Sequence, residues 1–582
     1  MLPLLAYTGL AVLLFHNAWA GANDLTIGGH GDPEASIWYY AWIQHGLQHG
    51  VNPLLTDYLN YPQGVNLAWQ TSQPLAAVVS WPVSAIFGPY AAYDAVVTAA
   101  LALSGWCAYL AIRRWVPRRS AAFAGGLLYG FSPYMVTHAQ GHANLVLCFV
   151  PPLLLLALDE AVVRRRWPWW RSGLVLGLLG AVQIWMTEEV LATSAILAAV
   201  GVLTLAVLHR DRWRAALPYV WRAVALGAVV TLALGAPLLW VQFRGPNQLP
   251  SVFQQPGGFS TDLLNFVLPT GAQQVFPGFA RSAVDRFSGN GAERNGYLSV
   301  PLLLILAYTL WRFRTVAVVR VMGVVGVVAA VLSMGPTLRI RGHMTHIPLP
   351  WEVFAHLPVF ANVIPARIML YAFLAAALLL ALFVDHVLRV RGAALAWGGA
   401  ALAASLVLLL PTTDYIASPH QDPAFFTAGG DAQRIPEGAS VLLVPFVNDP
   451  AVAESETWQV IGGLRFRVPS GYFLARDPNN DRSHLTGPTL RPLSKALVDI
   501  VTSKGAPTLT DSLLATMRDD LRYWNTQVVV VGPTPHPDQV LALLTAVLGR
   551  PPVGDQGTYV WWDVQPGHPA VSAAAALPMS PS

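Results

Sequence analysis

Long apolar runs separated by short polar turns dominate the chain as far as residue 411. Runs of about 20 apolar residues can cross the hydrocarbon core of a bilayer as helices. They predict spans near 2–19, 90–112, 120–137, 145–162, 172–187, 189–208, 223–241, 297–312, 316–334, 367–386 and 394–411. The pattern changes at 412, where Pro, charged and polar residues return and no later run is long enough to span. The apolar stretches 441–444 and 528–531 read as buried strands, 537–549 as an amphipathic helix and 559–562 as a last strand. The expected fold class is an all-α polytopic membrane domain of about 11 transmembrane helices, with a small C-terminal extracytoplasmic α/β domain. The domain limits are 1–411 and 412–565, the ordered part of the second starting near 430. The Ala/Pro/Ser-rich stretch 566–582 is expected to be a disordered tail.

Arginine placement sets the expected orientation. One set of loops carries Arg113, Arg114, Arg118 and Arg119, then Arg164, Arg165, Arg166 and Arg171, then Arg210, Arg212, Arg214 and Arg222. Arg312, Arg314, Arg320, Arg389 and Arg391 continue on that side. The opposite loops hold fewer, and the first of them, 20–73, has no Lys or Arg. The Arg-rich side is therefore read as cytoplasmic, with the long loops and the C-terminal region outside. Ala18-Trp19-Ala20 has the shape of a signal-peptide cleavage site. Residues 1–17 lack the basic start such a peptide has, so an uncleaved span is the expectation and a cleaved peptide the alternative. Loop 20–73 lies outside in both.

Composition agrees with a membrane solvent. Charged residues are 11% of the chain, against about 25% in soluble domains. The net charge of +4 is small for 582 residues and argues against nucleic acid as a partner. Lys495 and Lys504 are the only lysines among 35 basic residues, a bias typical of a GC-rich genome such as an actinobacterium's. Cys107 and Cys148 both fall in apolar runs, and two cysteines build neither a disulfide framework nor a Cys-based zinc site.

The candidate chemistry lies in the outer loops. Gly31-Asp32-Pro33-Glu34 precedes a Trp- and Tyr-rich segment, 37–42. Pro33 suits the first position of a helix and Asp32 its N-cap. Such aromatic residues favour the membrane–water interface, which would set Asp32 and Glu34 at the start of an interfacial helix. The pair can do chemistry, or it can only cap the helix and favour its dipole. Asn52, Asp57, Asn60 and Asn66 can bind a polyhydroxylated ligand, but the expectation is that most of them satisfy their own loop. His138 and His142, four apart, can hold a metal or hydrogen-bond each other. Glu188 and Glu189 sit at the outer tip of a helix pair, where one can face a cavity or both can be solvated. Glu293 lies in the long outer loop 243–296, and Arg367 follows Ile364-Pro365-Ala366 at a span start. Arg367 can snorkel to head groups or clamp a phosphate.

This arrangement resembles the GT-C superfamily of polytopic membrane glycosyltransferases, which use polyprenyl-phosphate sugars, in a bacterial branch. Gly31-Asp32-Pro33-Glu34, Tyr61-Pro62-Gln63-Gly64-Val65-Asn66-Leu67 and Pro365-Ala366-Arg367 carry the likeness, together with the span pattern over 1–411. The resemblance implies Asp32 as general base on the acceptor hydroxyl, Glu34 as its acidic companion, and Arg367 on the lipid phosphate. It implies a polyprenyl-phosphate-linked donor, a glycan, lipid or protein acceptor, and a divalent metal ion in some members. Many members carry a second acidic residue in the next outer loop; here that loop has His138 and His142, and Glu188 or Glu189 can substitute. The absence of a Walker or Rossmann glycine pattern agrees with a lipid-borne donor. Two rival readings are a transporter or flippase of lipid-linked glycan and a non-catalytic envelope scaffold.

Overall fold

The structure is a computed structural model of the chain. It describes residues 1–582 except 22–23, 250–253, 255–256, 358–359, 414, 478–483, 556 and 566–582. The expected disordered tail, 566–582, thus lies outside the described residues. Helices form in all the stretches read as spans. Among the described residues, five are long and apolar enough to cross a membrane: Pro89–Ile112, Ala143–Arg164, Glu188–Leu208, Arg210–Arg244 and Pro365–Val387. Leu2–Leu14, Val300–Arg312, Ala317–Ser333 and Ala393–Leu409 are shorter apolar helices. The protein is a mostly helical, multi-pass membrane protein.

By packing, the chain divides into two compact units. The first joins Met1–Gly21, Asp94–Ala236 and Val252–Ala417; the second joins Ala22–Tyr93, Pro237–Ser251 and Ser418–Ser582. Residues of the first outer loop therefore group with the C-terminal region, a pairing across hundreds of residues that no local pattern announces.

In the first unit, Pro365–Val387 is apolar on every face between Arg367 and Asp385 and is almost wholly buried. A helix of that kind belongs in the centre of a bundle. It packs against Arg119–Gly130, and a Cβ on Gly125 would come within 2.6 Å of the Ala377 carbonyl. Small residues at such a crossing let two backbones approach, as is common in membrane helix pairs. Glu188–Leu208 and Arg210–Arg244 are each only 22% buried along their apolar stretch, which leaves apolar side chains facing outward. The Arg-rich ends are partnered: Arg114 reaches Asp159 at 2.8 Å and Glu160 at 2.9 Å, and Arg118 reaches Asp385 at 2.9 Å.

The second unit contains a four-stranded sheet in the order Val553–Asp555, Thr558–Trp561, Thr526–Val531, Ser440–Val444. The last two strands are parallel and the other pairs antiparallel. Alternation along the strands separates two cores. Leu442, Val444, Val529 and Val531 pack against helices Pro492–Val501, Asp511–Tyr523 and Pro537–Leu548. Val441, Leu443, Val528 and Val530 share their core with Trp38, Tyr39 and Trp42 of helix Asp32–His49. This corrects the interfacial reading of that helix. Trp38 is fully buried, and its indole N–H donates to Gln459 Oε1 at 2.6 Å. Its rings fill a protein core rather than a head-group layer.

Candidate functional site

Arg367 stands in the turn Pro365–Ile368 that opens helix Met369–Val387. Glu189 lies in the first turn of Glu188–Leu208, where a carboxylate favours the helix dipole. Glu293 comes from the loop before Val300–Arg312. The three meet. Arg367 Nη1 donates to Glu189 Oε2 at 2.7 Å, and its Nε and Nη2 donate to Glu293 Oε1 at 2.9 and 2.8 Å. Glu189 also accepts from the Ile364 N–H at 3.4 Å. Two carboxylates against one guanidinium leave a negative charge in excess. Glu293 Oε2 is buried and accepts no hydrogen bond from any described residue. Burial pushes the Glu293 carboxyl up, but Arg367, His138 and His142 together outweigh it and bring it to about 2.

His138 ends helix Pro133–His138 and is fully buried, with the Tyr134 ring edge-on at 4.5 Å. Asn295 Nδ2 donates to its Nε2 at 3.1 Å. His138 Nδ1 faces His142 Nδ1 at 3.4 Å. The two histidines thus contact each other. Burial drives His138 down to about 3, so it is neutral at ordinary pH. Between about pH 3 and 6.5 the unfolded chain binds a proton here and the folded chain does not, so this residue's stability contribution is lost as pH falls through that window. Unfolding measured from pH 6.5 down to 4.5 should show the wild type losing up to about 1.4 kcal/mol per pH unit more than His138→Gln. Parallel slopes would remove the neutral-histidine assignment.

Among the described residues, no donor set fits the divalent metal that the resemblance allows. Among the described residues no group of three or more His, Cys, Asp or Glu is arranged to hold a metal ion. Glu293 Oε2 is an open acceptor, but the facing His138 Nε2 is already taken by Asn295. Glu188 adjoins Glu189 but stands outside the ion cluster.

Asp32 and Glu34 belong to the second unit. The cap of helix Asp32–His49 is Gly31, not Asp32 as the sequence suggested. Gly31 has φ +109°, and a Cβ there would lie 2.5 Å from Pro450 Cβ, so the position admits only glycine comfortably. Asp32 is then the first helical residue. Glu34 is occupied on both oxygens: Oε2 accepts from the Gly31 N–H and Oε1 contacts His30 Nδ1, each at 2.7 Å. That hydrogen bond to Glu34 raises His30. The Tyr472 phenol neighbours Asp32, and burial followed by the Asp32 charge pushes that phenol up. Tyr472 is itself held, its N–H donating to Glu456 Oε2 at 3.2 Å and its carbonyl accepting from Tyr39 at 3.2 Å. Burial keeps the Glu456 carboxyl well above the usual carboxylate range.

Of the predicted residues, then, Glu189, Glu293, Arg367, His138 and His142 form one cluster. Asp32 and Glu34 share a helix start. Asn295, Tyr472 and Glu456 were missed. Asn295 sits in the polar segment 293–297, which was a local hint; Tyr472 and Glu456 had none. Among the loop residues, Asn52, Asn60 and Asn66 bond backbone groups, as expected, and Asp57 pairs with Arg467 at 3.0 Å.

The helical membrane architecture has the GT-C fold. The chain aligns with the arabinofuranosyltransferase AftD from Mycobacteria over 96% of its length at 15% identity and a TM-score of 0.52, covering 40% of that chain. A mutant form of the same enzyme gives 14% identity, coverage of 96% and 41%, and a TM-score of 0.54. The chain therefore spans about two-fifths of the length of the enzyme it matches. ArnT from Cupriavidus metallidurans, bound to undecaprenyl phosphate, aligns at 12% identity with a TM-score of 0.46, covering 96% of this chain and 97% of that one. A family model described as a domain of unknown function, DUF6311, matches residues 8–362, and the chain belongs to that family. No curated protein sequence matches the chain.

Proposed function

We propose that the chain is a membrane glycosyltransferase that moves a sugar from a polyprenyl-phosphate donor to an acceptor hydroxyl on the outer face of the cytoplasmic membrane. The observation that carries this reading is the fold likeness to AftD along 96% of the chain. Asp32 is the general base. The acceptor oxygen attacks the anomeric carbon, the bond to the phosphate oxygen breaks, the lipid phosphate leaves with the electron pair, and Asp32 takes the hydroxyl proton. The donor is already activated, so the protein must orient the acceptor, remove that proton and stabilise charge. The neutral Tyr472 phenol beside the Asp32 carboxylate supports the role.

Arg367 is the candidate cation for the phosphate, with Glu189, Glu293, His138 and His142 around it. Because Glu189 and Glu293 already hold its guanidinium, a phosphate has to displace one of them. Glu188 is the alternative second acid. Glu34 supports Asp32 through the helix start rather than through chemistry, since both its oxygens are engaged.

The test is transfer in proteoliposomes from radiolabelled polyprenyl-phosphate arabinofuranose, chosen because the structural neighbour is an arabinofuranosyltransferase, and then from other polyprenyl-phosphate sugars. The expected result is label on a new glycosidic bond and release of polyprenyl phosphate, absent from empty vesicles. Label that changes leaflet while staying on its lipid would replace this reading with a flippase. Label that neither moves nor transfers, with every donor, would leave a scaffold.

A further inference from the structure

The second unit holds a cleft of about 390 Å³ that none of the roles above uses. That lies within the ~300–1,000 Å³ range of small-molecule sites. Gln63, Asn247, Gln248, Arg476, Arg491 and Tyr523 form its polar wall. No carboxylate lines it among the described residues.

The wall is built in advance of any ligand. Asn247 Nδ2 donates to the carbonyls of Gln63 at 2.8 Å and Gly64 at 3.1 Å, and Asn60 donates to Gly64 at 3.0 Å. The Gln63 amide bonds the Tyr523 hydroxyl. Arg491 stacks 4.1 Å over the Tyr523 ring and donates to the fully buried Asp520 at 2.8 Å. Side chains held in this way lose little further freedom on binding.

The chemistry of the wall selects the ligand. Among the described residues no carboxylate is there to pair with a cation or a basic peptide. Its amides would lose hydrogen bonds to water against a lipid chain. Of the two arginines on the wall, Arg491 is already paired with Asp520, and inorganic phosphate is kept as a competing ligand in the test below. An extended peptide would need a free strand edge, yet at Leu474 the N–H and the carbonyl are both taken by the Gln70 side chain at 2.9 Å. The Asn247 and Gln248 amide N–H groups are spent on backbone carbonyls, which leaves their amide oxygens to accept, and acceptors beside a Tyr ring 42% exposed match a ligand covered in hydroxyls.

We infer that this cleft of Gln63, Asn247, Gln248 and Tyr523 binds an oligosaccharide. On the glycosyltransferase reading it holds part of the acceptor glycan, and only that clause rests on that reading.

The experiment screens the full-length chain in nanodiscs against an array of short neutral oligosaccharides, with inorganic phosphate and extended peptides alongside. The best oligosaccharide is then titrated by calorimetry. Gln63→Ala and Gln248→Ala are on exposed side chains, and each is expected to weaken binding by about tenfold with an unchanged melting temperature. Tyr523→Phe, which keeps the ring, is expected to weaken it less. No oligosaccharide bound, binding only of phosphate or peptide, or wild-type affinity in both alanine variants would overturn the inference. Binding with no sugar transfer by the same preparation would sink the glycosyltransferase reading and leave this one standing.

Discussion

Arg367→Ala is expected to destabilise the protein by about 3–5 kcal/mol, the range for breaking a buried ion pair on one side. The guanidinium is 16% exposed and holds Glu189 and Glu293 together. Its removal leaves two carboxylates facing each other without a cation in a site walled by Tyr134 and His138. Lysine does not restore the arrangement, because one ammonium cannot reproduce the forked contacts to two carboxylates. The energy comes from the stranded charges more than from the pair's net worth. Changing Glu189 and Glu293 to Gln in the Arg367→Met background should therefore recover much of the loss. Unfolding in detergent micelles, followed by tryptophan fluorescence, reads all of these variants. A wild-type melting curve for Arg367→Ala would show that the cluster does not hold the first unit together.

Asp32→Asn is expected to lower sugar transfer by about a hundredfold or more, the size of a lost general base. Asparagine keeps the shape, so the fold should survive. Glu34→Gln should do the reverse. It removes the charge that pairs with His30 and weakens the helix start, with a smaller effect on rate. Transfer and melting temperature measured on both variants separate the two roles. Equal transfer by Asp32→Asn and the wild type would remove Asp32 as the base.

Much of the membrane architecture was legible in the chain itself. Apolar runs of spanning length became helices because the backbone must satisfy its own hydrogen bonds in lipid. Carboxylates and arginines at helix ends were legible for the same reason, since charges in the middle of a span are costly. The segment 37–42 was misread. Trp38, Tyr39 and Trp42 have a composition that suits an interface, but their burial depends on Val441, Val528 and Gln459, hundreds of residues away. An aromatic side chain carries no mark of whether a bilayer or a sheet will cover it.

The sequence by itself determined that this is a multi-pass membrane protein and which few ionisable residues stand at the ends of its helices. Apolar length and charge placement are local properties, and they suffice for that. Tertiary structure alone decided that Arg367 is held by Glu189 and Glu293, that Glu34 is consumed by the Gly31 cap and His30, and that Glu456 accepts from the Tyr472 N–H. Hydrogen bonds and ion pairs act over a few ångströms of space, and no spacing along the chain encodes which distant partner will arrive there.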